Sequence, residues 1–475
     1  MAFNTFSLFY IGIVLILFYL INPSARRFLL FTAGLCYSFI CDRYAGIAVT
    51  VTVMTVYMAS RIIGYLQARK LRIPAAAVTV ISIALCICSL AVFKFSARIL
   101  SLIGSKDALG IIIPIGFSYH IFEAVSYLYD VYSGGTDVQK SFVDLGLYFT
   151  WFPKFISGPI EREGGFAVQI RNLRNVHLND PIRWYNAFTL IVFGCFYKML
   201  IADRLKGMTD TLFAIPDAYG SIWLILGSLA YTIRIYCDFA GYSMMAAGVS
   251  LLFGIRLVTN FDSPYCSRNI TEFWRRWHMS LSSFLKDYLY IPLGGNRLGN
   301  RRKIINTMIV FAICGLWHGN GFNFLFWGLL HGIYSAVDSV LREHGIKKFR
   351  TGMTGRIITF VEVSFAWVFF RASSFTGGLK YILYIFTNGP CTDAFNDQLE
   401  TLIRYPVIRW VILISIILMI IFDVIQYRSG TSISAVTASL PLPAGLSVCM
   451  LLLIAIVIFG NYGPDTNNTM IYMNF

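Results

Sequence analysis

Apolar runs close to twenty residues long recur from one end of this chain to the other, and that recurrence decides most of what it can fold into. The clearest lie at 5–22, 45–64, 73–93, 221–240, 407–425 and 446–460. Each is long enough, or nearly so, for the roughly 20 residues that carry a helix across a bilayer. Shorter, interrupted runs fill the gaps. In hydrocarbon every backbone N–H and C=O must be satisfied within the protein, which leaves helices and closed barrels as spanning structures. Runs of this length select helices. The sequence therefore predicts an all-α polytopic membrane protein of about ten to twelve membrane helices, with re-entrant and interfacial helices besides. Of the 475 residues 57% are hydrophobic and only 13% charged. No hydrophilic block is long enough for a soluble domain and no internal repeat is visible, so residues 1–475 are expected to form one membrane domain. The first run lacks a basic n-region and a small-residue cleavage site, which reads as a retained helix rather than a signal peptide.

Lys and Arg number 39 against 24 Asp and Glu, a net charge of +15. In a soluble protein that balance would suggest nucleic acid. In a membrane protein basic residues accumulate in cytoplasmic loops, and this accounts for most of the excess. Arg26 and Arg27, and then Arg69, Lys70 and Arg72, mark two such loops. The chain between them must go out and return, turning near Cys41–Tyr44, which places the N-terminus outside. The ten cysteines form no CxxC pair and no metal-ligand spacing, and most sit in apolar segments as small hydrophobes.

Three polar features interrupt the apolar pattern. Residues 113–135 carry Pro114, Gly116, His120, Glu123 and Asp130 among aromatics, so one face is expected to point into a protein-lined cavity. His120 and Glu123 share a helix face, but no further ligand stands at metal spacing. Residues 142–160 are broken by Pro153, Gly158 and Pro159, which predicts a broken or re-entrant helix. Residues 161–183 read as a cytoplasmic loop. In the run from 221, Arg234 and Asp238 stand four apart, within reach of each other on one face.

The densest chemistry lies between Arg268 and His331. Asn269 to Glu272 has the pattern of a helix cap. Ile270, Trp274, Trp277, Leu281, Leu285 and Tyr288 then form one apolar stripe, with Arg276, Ser280, Ser283 and Asp287 on a polar one, as in a helix lying in the membrane interface. From Arg268 to Lys303 there are eight Lys or Arg and two acids. Two readings account for this density: anionic lipid headgroups, or a phosphorylated, water-soluble cofactor held at the cytoplasmic face by Arg275, Arg276, Arg301 and Arg302. LGGNR at 293–297 is a glycine-rich turn too short to be specific.

Beyond Arg301, Arg302 and Lys303 an apolar helix is predicted at 304–317. His318 then lies about 21 Å up the helix. Gly319, Asn320 and Gly321 break it, and a second apolar run descends to Arg342, Lys347, Lys348 and Arg350. Both flanks are basic, so the pair reads as a hairpin. On one straight helix His318 and His331 would face different ways; a hairpin brings both to one side. A neutral imidazole takes the proton of an attacking hydroxyl, and a thioester supplies a good leaving group, so acyl transfer needs little more. There is no GxSxG elbow, Walker motif or HExxH signature.

At these residues the sequence resembles the membrane-bound O-acyltransferase family, in the branch that contains the alginate O-acetyltransferase membrane subunit. The resemblance is carried by NFDSPYCSRNITEFWRRWHMSLSSFLKDYLYIPLGGNR at 260–297 and GLWHGNGFNFLFWGLLHG at 315–332. Weaker matches are IPIGFSYHIFE at 113–123, WFPKFISGPIER at 151–162, DFAGYS at 238–243 and WVFFRASSF at 367–375. Met244 stands where that branch often has Asp, and Lys154 where it often has His. The resemblance implies a multi-helix membrane fold around a central tunnel, with its core motifs at 260–332. It implies acetyl-CoA as the cytoplasmic donor, used as a substrate and not held as a permanent cofactor. It also implies acetyl delivery to an extracellular or cell-surface polysaccharide, through an extracytoplasmic transferase partner, from the plasma or inner membrane of a bacterium. The family's essential histidine falls on His318 and its second on His331, as a supporting residue; no metal is implied. Two alternatives stay open on the residues: D-alanyl transfer to teichoic acid from a carrier-protein thioester, and a proton-coupled transporter, for which Asp, Glu and His inside helices are also expected.

Overall fold

The computed structural model describes residues 5–102, 113–345, 351–390 and 405–462, and the regular elements among them are helical. Among the described residues eight helices are long and apolar enough to cross a membrane; the chain is a multi-pass membrane protein. A count by length and hydropathy leaves out Thr5–Leu20, apolar but 16 residues long, and Gly299–His318, whose first turns carry three cations; both belong to the higher number expected from the sequence. By internal packing the chain divides into two compact units, Met1–Ala187 with Ala246–Val258, and Phe188–Met245 with Thr259–Phe475.

The first unit contains α1 (Thr5–Leu20), α2 (Arg26–Cys41), α3 (Arg43–Ala68), α4 (Arg72–Leu102), α5 (Phe117–Ser133), α6 (Phe142–Thr150) and α7 (Glu163–Asn172). The expected turn after α2 is present. Asp42 accepts a hydrogen bond from the Tyr44 N–H at 3.0 Å and so caps α3. The buried Arg26 guanidinium is satisfied by the carbonyls of Phe18, Leu173 and Val176 at 2.7–3.0 Å. In the sequence 94–109 reads as a polar stretch following the run at 73–93, but α4 continues as helix through Leu102; residues 103–112 lie outside the described residues.

The predicted break is also present: α6 ends at Thr150 and residues 151–160 run irregularly, every one of them buried. Such a segment persists away from water only if protein satisfies it. Trp151 donates to the Ser250 hydroxyl at 2.8 Å, and Lys154 forms a buried ion pair with Glu123. That pairing answers the question posed by His120 and Glu123, since the carboxylate is taken by an ammonium and His120 packs on Phe155 with centroids 4.7 Å apart. The supposed loop at 161–183 is partly helical, because Phe166 and Ile170 on α7 find a core to bury against.

The helix α8 (Pro181–Cys195) runs on through a π-helical stretch, Phe196–Ala202, into α9 (Asp203–Ala214). The second unit takes in this continuation, most of α10 (Ser221–Leu252), and the helices from Ile270 onward. The expected pairing of Arg234 with Asp238 on α10 does not form. Arg234 instead bonds Asp210 at 2.6 Å and Thr209 at 2.5 Å, and Asp238 bonds Lys198 at 2.6 Å. Ion pairs that join two helices satisfy buried charge and fix packing at once, which a pair within one helix does not. Arg371 and Asp203 extend these contacts at 2.8 and 2.7 Å.

The hairpin expected around His318 is formed by α13 (Gly299–His318) and α14 (Phe322–Glu343), with α11 (Ile270–Arg276) and α12 (Met279–Leu285) preceding it and α15 (Gly352–Arg371) following. Polar contacts near its open end fix the register. Asn300 donates to Glu343 at 2.9 Å and Lys303 to Ser339 at 2.6 Å. Deeper in, the helices approach so closely that a Cβ on Gly328 would come 2.2 Å from the Phe311 carbonyl oxygen, and one on Gly315 2.3 Å from that of Phe324. Gly328 and Gly332 form the small-xxx-small pattern that allows such approach in membranes. The helix begins five residues earlier than the predicted start at 304, so His318 is its last residue and sits at the tip of the hairpin.

The basic ends of both limbs lie together, and basic ends mark the cytoplasmic side. Lys347, Lys348 and Arg350 lie outside the described residues. Asn300→Cys and Gly345→Cys, each in a background without reactive native thiols, are expected to resist impermeant thiol reagents applied to intact cells. Labelling of either from outside would invert the hairpin.

Candidate active site

The scaffold of the site starts at Asn269. Its side chain accepts from the Glu272 N–H at 2.9 Å, and Glu272 reaches back to the Arg268 N–H at 2.9 Å, one residue beyond the usual capping box. Asp338 of α14 accepts from the Ile270 N–H at 2.8 Å, so a buried carboxylate also meets the positive end of α11. The single amphipathic helix expected over 270–288 is in fact interrupted. His278 takes a left-handed backbone (φ 43°) between α11 and α12, and a π-helical turn follows at Lys286–Tyr290. The apolar stripe is nonetheless real: Ile270, Trp274, Trp277, Leu281 and Leu285 are all buried within protein.

The break is stabilised by Asn260, whose Oδ1 accepts from the Ser280 N–H and hydroxyl at 3.2 and 2.9 Å and lies 3.2 Å from His278 Nδ1. Because that oxygen only accepts, Nδ1 donates to it. Burial pushes the His278 imidazole pKa down to about 3, so the ring stays neutral at physiological pH. His278 packs edge-on against Phe239 at 4.8 Å and near Trp317 at 6.1 Å, the residue beside His318.

Three helical stripes, with Thr271, Trp274 and Arg275 of α11, line an open cavity of about 440 Å³. From α12 come Met279, Ser282 and Ser283, with Lys286 just beyond; from α13 Lys303, Ile304, Thr307 and Phe311; from α14 Ser335, Ser339 and Arg342. Four cations line it. Lys303 is engaged with Ser339, and Arg342 donates to Thr271 at 3.0 Å. Arg275 and Lys286 make no side-chain hydrogen bond or ion pair among the described residues. The cations stand toward the basic end of the hairpin, and Phe311 lies about 12 Å deeper along α13 than Lys303. A polyanion with a long uncharged arm matches this gradient from charge to aromatic surface.

Trp274 and Phe311 line the cavity and also touch His331 on its other side. The Trp274 indole N–H lies 3.2 Å from His331 Nδ1. The two histidines, thirteen residues apart in sequence, share one neighbour: the Trp327 ring centroid is 5.1 Å from that of His318 and 5.0 Å from that of His331. Phe370 of α15 closes on His318 at 5.2 Å. Both imidazoles are almost fully buried.

The four arginines singled out in the sequence are therefore dispersed. Arg275 lines the cavity. Arg276 points elsewhere, bonding Asp262 at 2.5 Å and Glu272 at 3.3 Å under the Tyr427 ring. Arg301 and Arg302 are exposed on the first turns of α13, outside the cavity lining. Sequence reasoning missed Lys286, Arg342, Trp274 and His278 as site residues. The signal for Arg342 was present: Ser335, Ser339 and Arg342 make a polar stripe at helical spacing on an apolar span.

Residues 105–382 match the family model of MBOAT, the membrane-bound O-acyltransferase family. The chain is 34% identical to the probable alginate O-acetylase AlgI of Azotobacter vinelandii over 84% of this chain and 81% of that protein. It is 36% identical to the peptidoglycan O-acetyltransferase of Helicobacter pylori over 58% of this chain and 57% of that one. Against the teichoic acid D-alanyltransferase of Bacillus subtilis identity is 28%, over 55% of this chain and 69% of that protein.

The two adjacent arginines should separate cleanly in stability. Arg276→Ala removes a charged bonding partner from two carboxylates and is expected to cost about 1–3 kcal/mol, read as a lower Tm in detergent. Arg275→Ala is expected to stay within about 0.5 kcal/mol of the parent. Equal destabilisation by both would refute the division of roles.

Proposed function

Because this chain belongs to the membrane-bound O-acyltransferase family, and is therefore an O-acyltransferase, we propose that it transfers acetyl groups from cytoplasmic acetyl-CoA for O-acetylation of a cell-surface or extracellular polysaccharide. Family membership sets aside the transporter reading. The observation that carries the proposal is the gradient in the cavity. Four cations at the basic end suit the phosphates of CoA, and the deeper aromatic wall suits an uncharged acyl-pantetheine arm leading toward the histidines. Arg275 and Lys286, which have no side-chain partner among the described residues, hold phosphate, the first through a guanidinium fork suited to its oxygens and the second as a point charge. Lys303 and Arg342 close the site from the hairpin. Arg301 and Arg302 attract the polyanion at the rim, and Arg276 braces the scaffold.

His318 is the base and His331 supports it. His318 closes α13 at the tip of the hairpin, beside glycines that leave room for a substrate to approach. In a bacterial inner membrane this end faces outward, where the acceptor is. The attacking hydroxyl belongs to the glycan or to an extracytoplasmic transferase that relays the acetyl group. The names of the alginate and peptidoglycan enzymes among its relatives support acetyl as the group and polysaccharide as its destination. The D-alanyl reading rests on relatives of lower identity.

Incubation of the purified protein with radiolabelled acetyl-CoA and candidate glycans tests the donor; no transfer from CoA, with transfer from a carrier-protein thioester, would favour the D-alanyl reading. Arg275→Ala and Lys286→Ala are expected to raise KM for acetyl-CoA about tenfold while kcat stays within about twofold, as for lost ground-state binding. Unchanged KM with weaker membrane association would assign these cations to lipid. His318→Ala is expected to lower kcat by about 10² to 10⁴ at normal protein level and CoA binding. Retention of most of kcat in a folded protein would return His318 to an interhelical hydrogen-bonding role.

A further inference from the structure

The contact between Trp274 and His331 fixes more than a distance. An indole N–H only donates. His331 Nδ1, 3.2 Å from it, must therefore be the acceptor and unprotonated. A neutral imidazole carries one proton, so it is on Nε2. That nitrogen is buried and has no hydrogen-bond partner among the described residues. The ring cannot easily turn over to exchange its nitrogens. Phe273 lies parallel to it at 6.1 Å and 5°, and Phe311 at 6.2 Å and 23°, while the Trp274 and Trp327 rings stand across it at 5.2 and 5.0 Å. The fold thus holds one N–H, in one orientation, inside an aromatic box.

We propose that Trp274 is the positioning residue that fixes His331 as an Nε2–H donor, and that this N–H takes the negative charge that develops on the acyl carbonyl oxygen, leaving His318 as the only base. The proposal rests on the acyl-transfer reading above and assigns each imidazole its own step. The acceptor hydroxyl oxygen bonds to the thioester carbon while its proton passes to His318. The carbonyl π pair moves onto oxygen, and the resulting anion is held by His331 Nε2–H. When that pair returns, the C–S bond breaks, and the departing thiolate takes the proton from His318. A neutral donor suits this role, because it stabilises charge where it develops without itself having to lose a proton. The location fits as well. Trp274 and Phe311 line the cavity and pack on His331, so His331 is the histidine nearer the cavity wall, whereas His318 is at the opposite end of α13 from the cations.

The test starts with nitrogen NMR of the full chain, labelled with ¹⁵N-histidine and held in nanodiscs without donor, the His331 signals being identified by their loss in His331→Gln. The expected spectrum has Nε2 protonated and Nδ1 bare. Trp274→Phe, which keeps an aromatic ring but deletes the N–H, is expected to give a mixture of tautomers. A protonated Nδ1 in the parent protein would overturn the proposal, and that spectrum decides even if the variant fails to fold. Kinetics then test the role. Trp274→Phe is expected to lower kcat about tenfold with KM for the thioester within about twofold. His331→Leu should lose about 10² to 10³ in kcat, the usual effect of removing one such donor. His331→Gln, whose amide still donates, should keep at least about ten times the kcat of the leucine variant. Equal loss in both would make His331 a base and overturn the assignment. Because the spectrum needs no donor, a protein that ignores acetyl-CoA would refute the donor reading without obscuring the tautomer.

Discussion

The close approach of α13 and α14 holds the site together. In hydrocarbon, apolar surface gains little by leaving lipid for protein, so helices are held by van der Waals fit and by satisfied polar groups. Gly315 and Gly328 supply the fit, bringing backbone against backbone where any side chain would collide, and Gly332 lies against the Met308 side chain. Only at that spacing does the Trp327 indole lie beside both imidazoles. The same register aligns Lys303 with Ser339, and so places two stripes of the cavity wall opposite each other. One packing geometry therefore sets the histidine pair and the cavity together.

Around the hairpin, buried charges and hydroxyls are paired across helices. Lys198 meets Asp203 and Asp238, Arg234 and Arg371 meet Asp210, and Asp423 accepts from the hydroxyls of Tyr197 and Tyr236 at 2.8 and 3.0 Å. Several of these pairs join helices distant in sequence. Loss of Lys198 would leave the buried carboxylates of Asp203 and Asp238 without their ammonium, a change that costs about 3–5 kcal/mol; Asp210 is 40% exposed, so its pairs with Arg234 and Arg371 contribute less. Against this background the uncommitted groups, Arg275 and Lys286 at the cavity and Nε2 of His331 in its aromatic box, are the chemically available ones.

The function proposed above would divide the chemistry along the membrane normal. Phosphate recognition needs exposed cations and belongs where water is. Acyl transfer needs water excluded, since a thioester in a wet site is open to hydrolysis. The aromatic wall formed by Trp274 and Phe311 stands between the two. Relatives in the family differ in acceptor, being named for alginate, peptidoglycan and teichoic acid.

The membrane class, the helix-break-helix pattern around His318, the broken segment after Thr150 and the local excess of positive charge were all legible in the order of residues. Each follows from hydropathy, from helix-breaking residues or from charge density, which act over a turn or two of chain. The family was legible too, because two long motifs are specific enough to be read without a structure. Partners were not. Arg234 and Asp238 stand at good spacing on one helix, yet each pairs across to another. Arg275 and Arg276 are neighbours, yet one faces the cavity and the other a carboxylate cluster. His278 interrupts a stripe that looks continuous on paper. Packing settled these, because which side chain meets which depends on the rotation and depth of each helix against its neighbours, and a modest rotation exchanges one partner for another while leaving the pattern of the sequence unchanged.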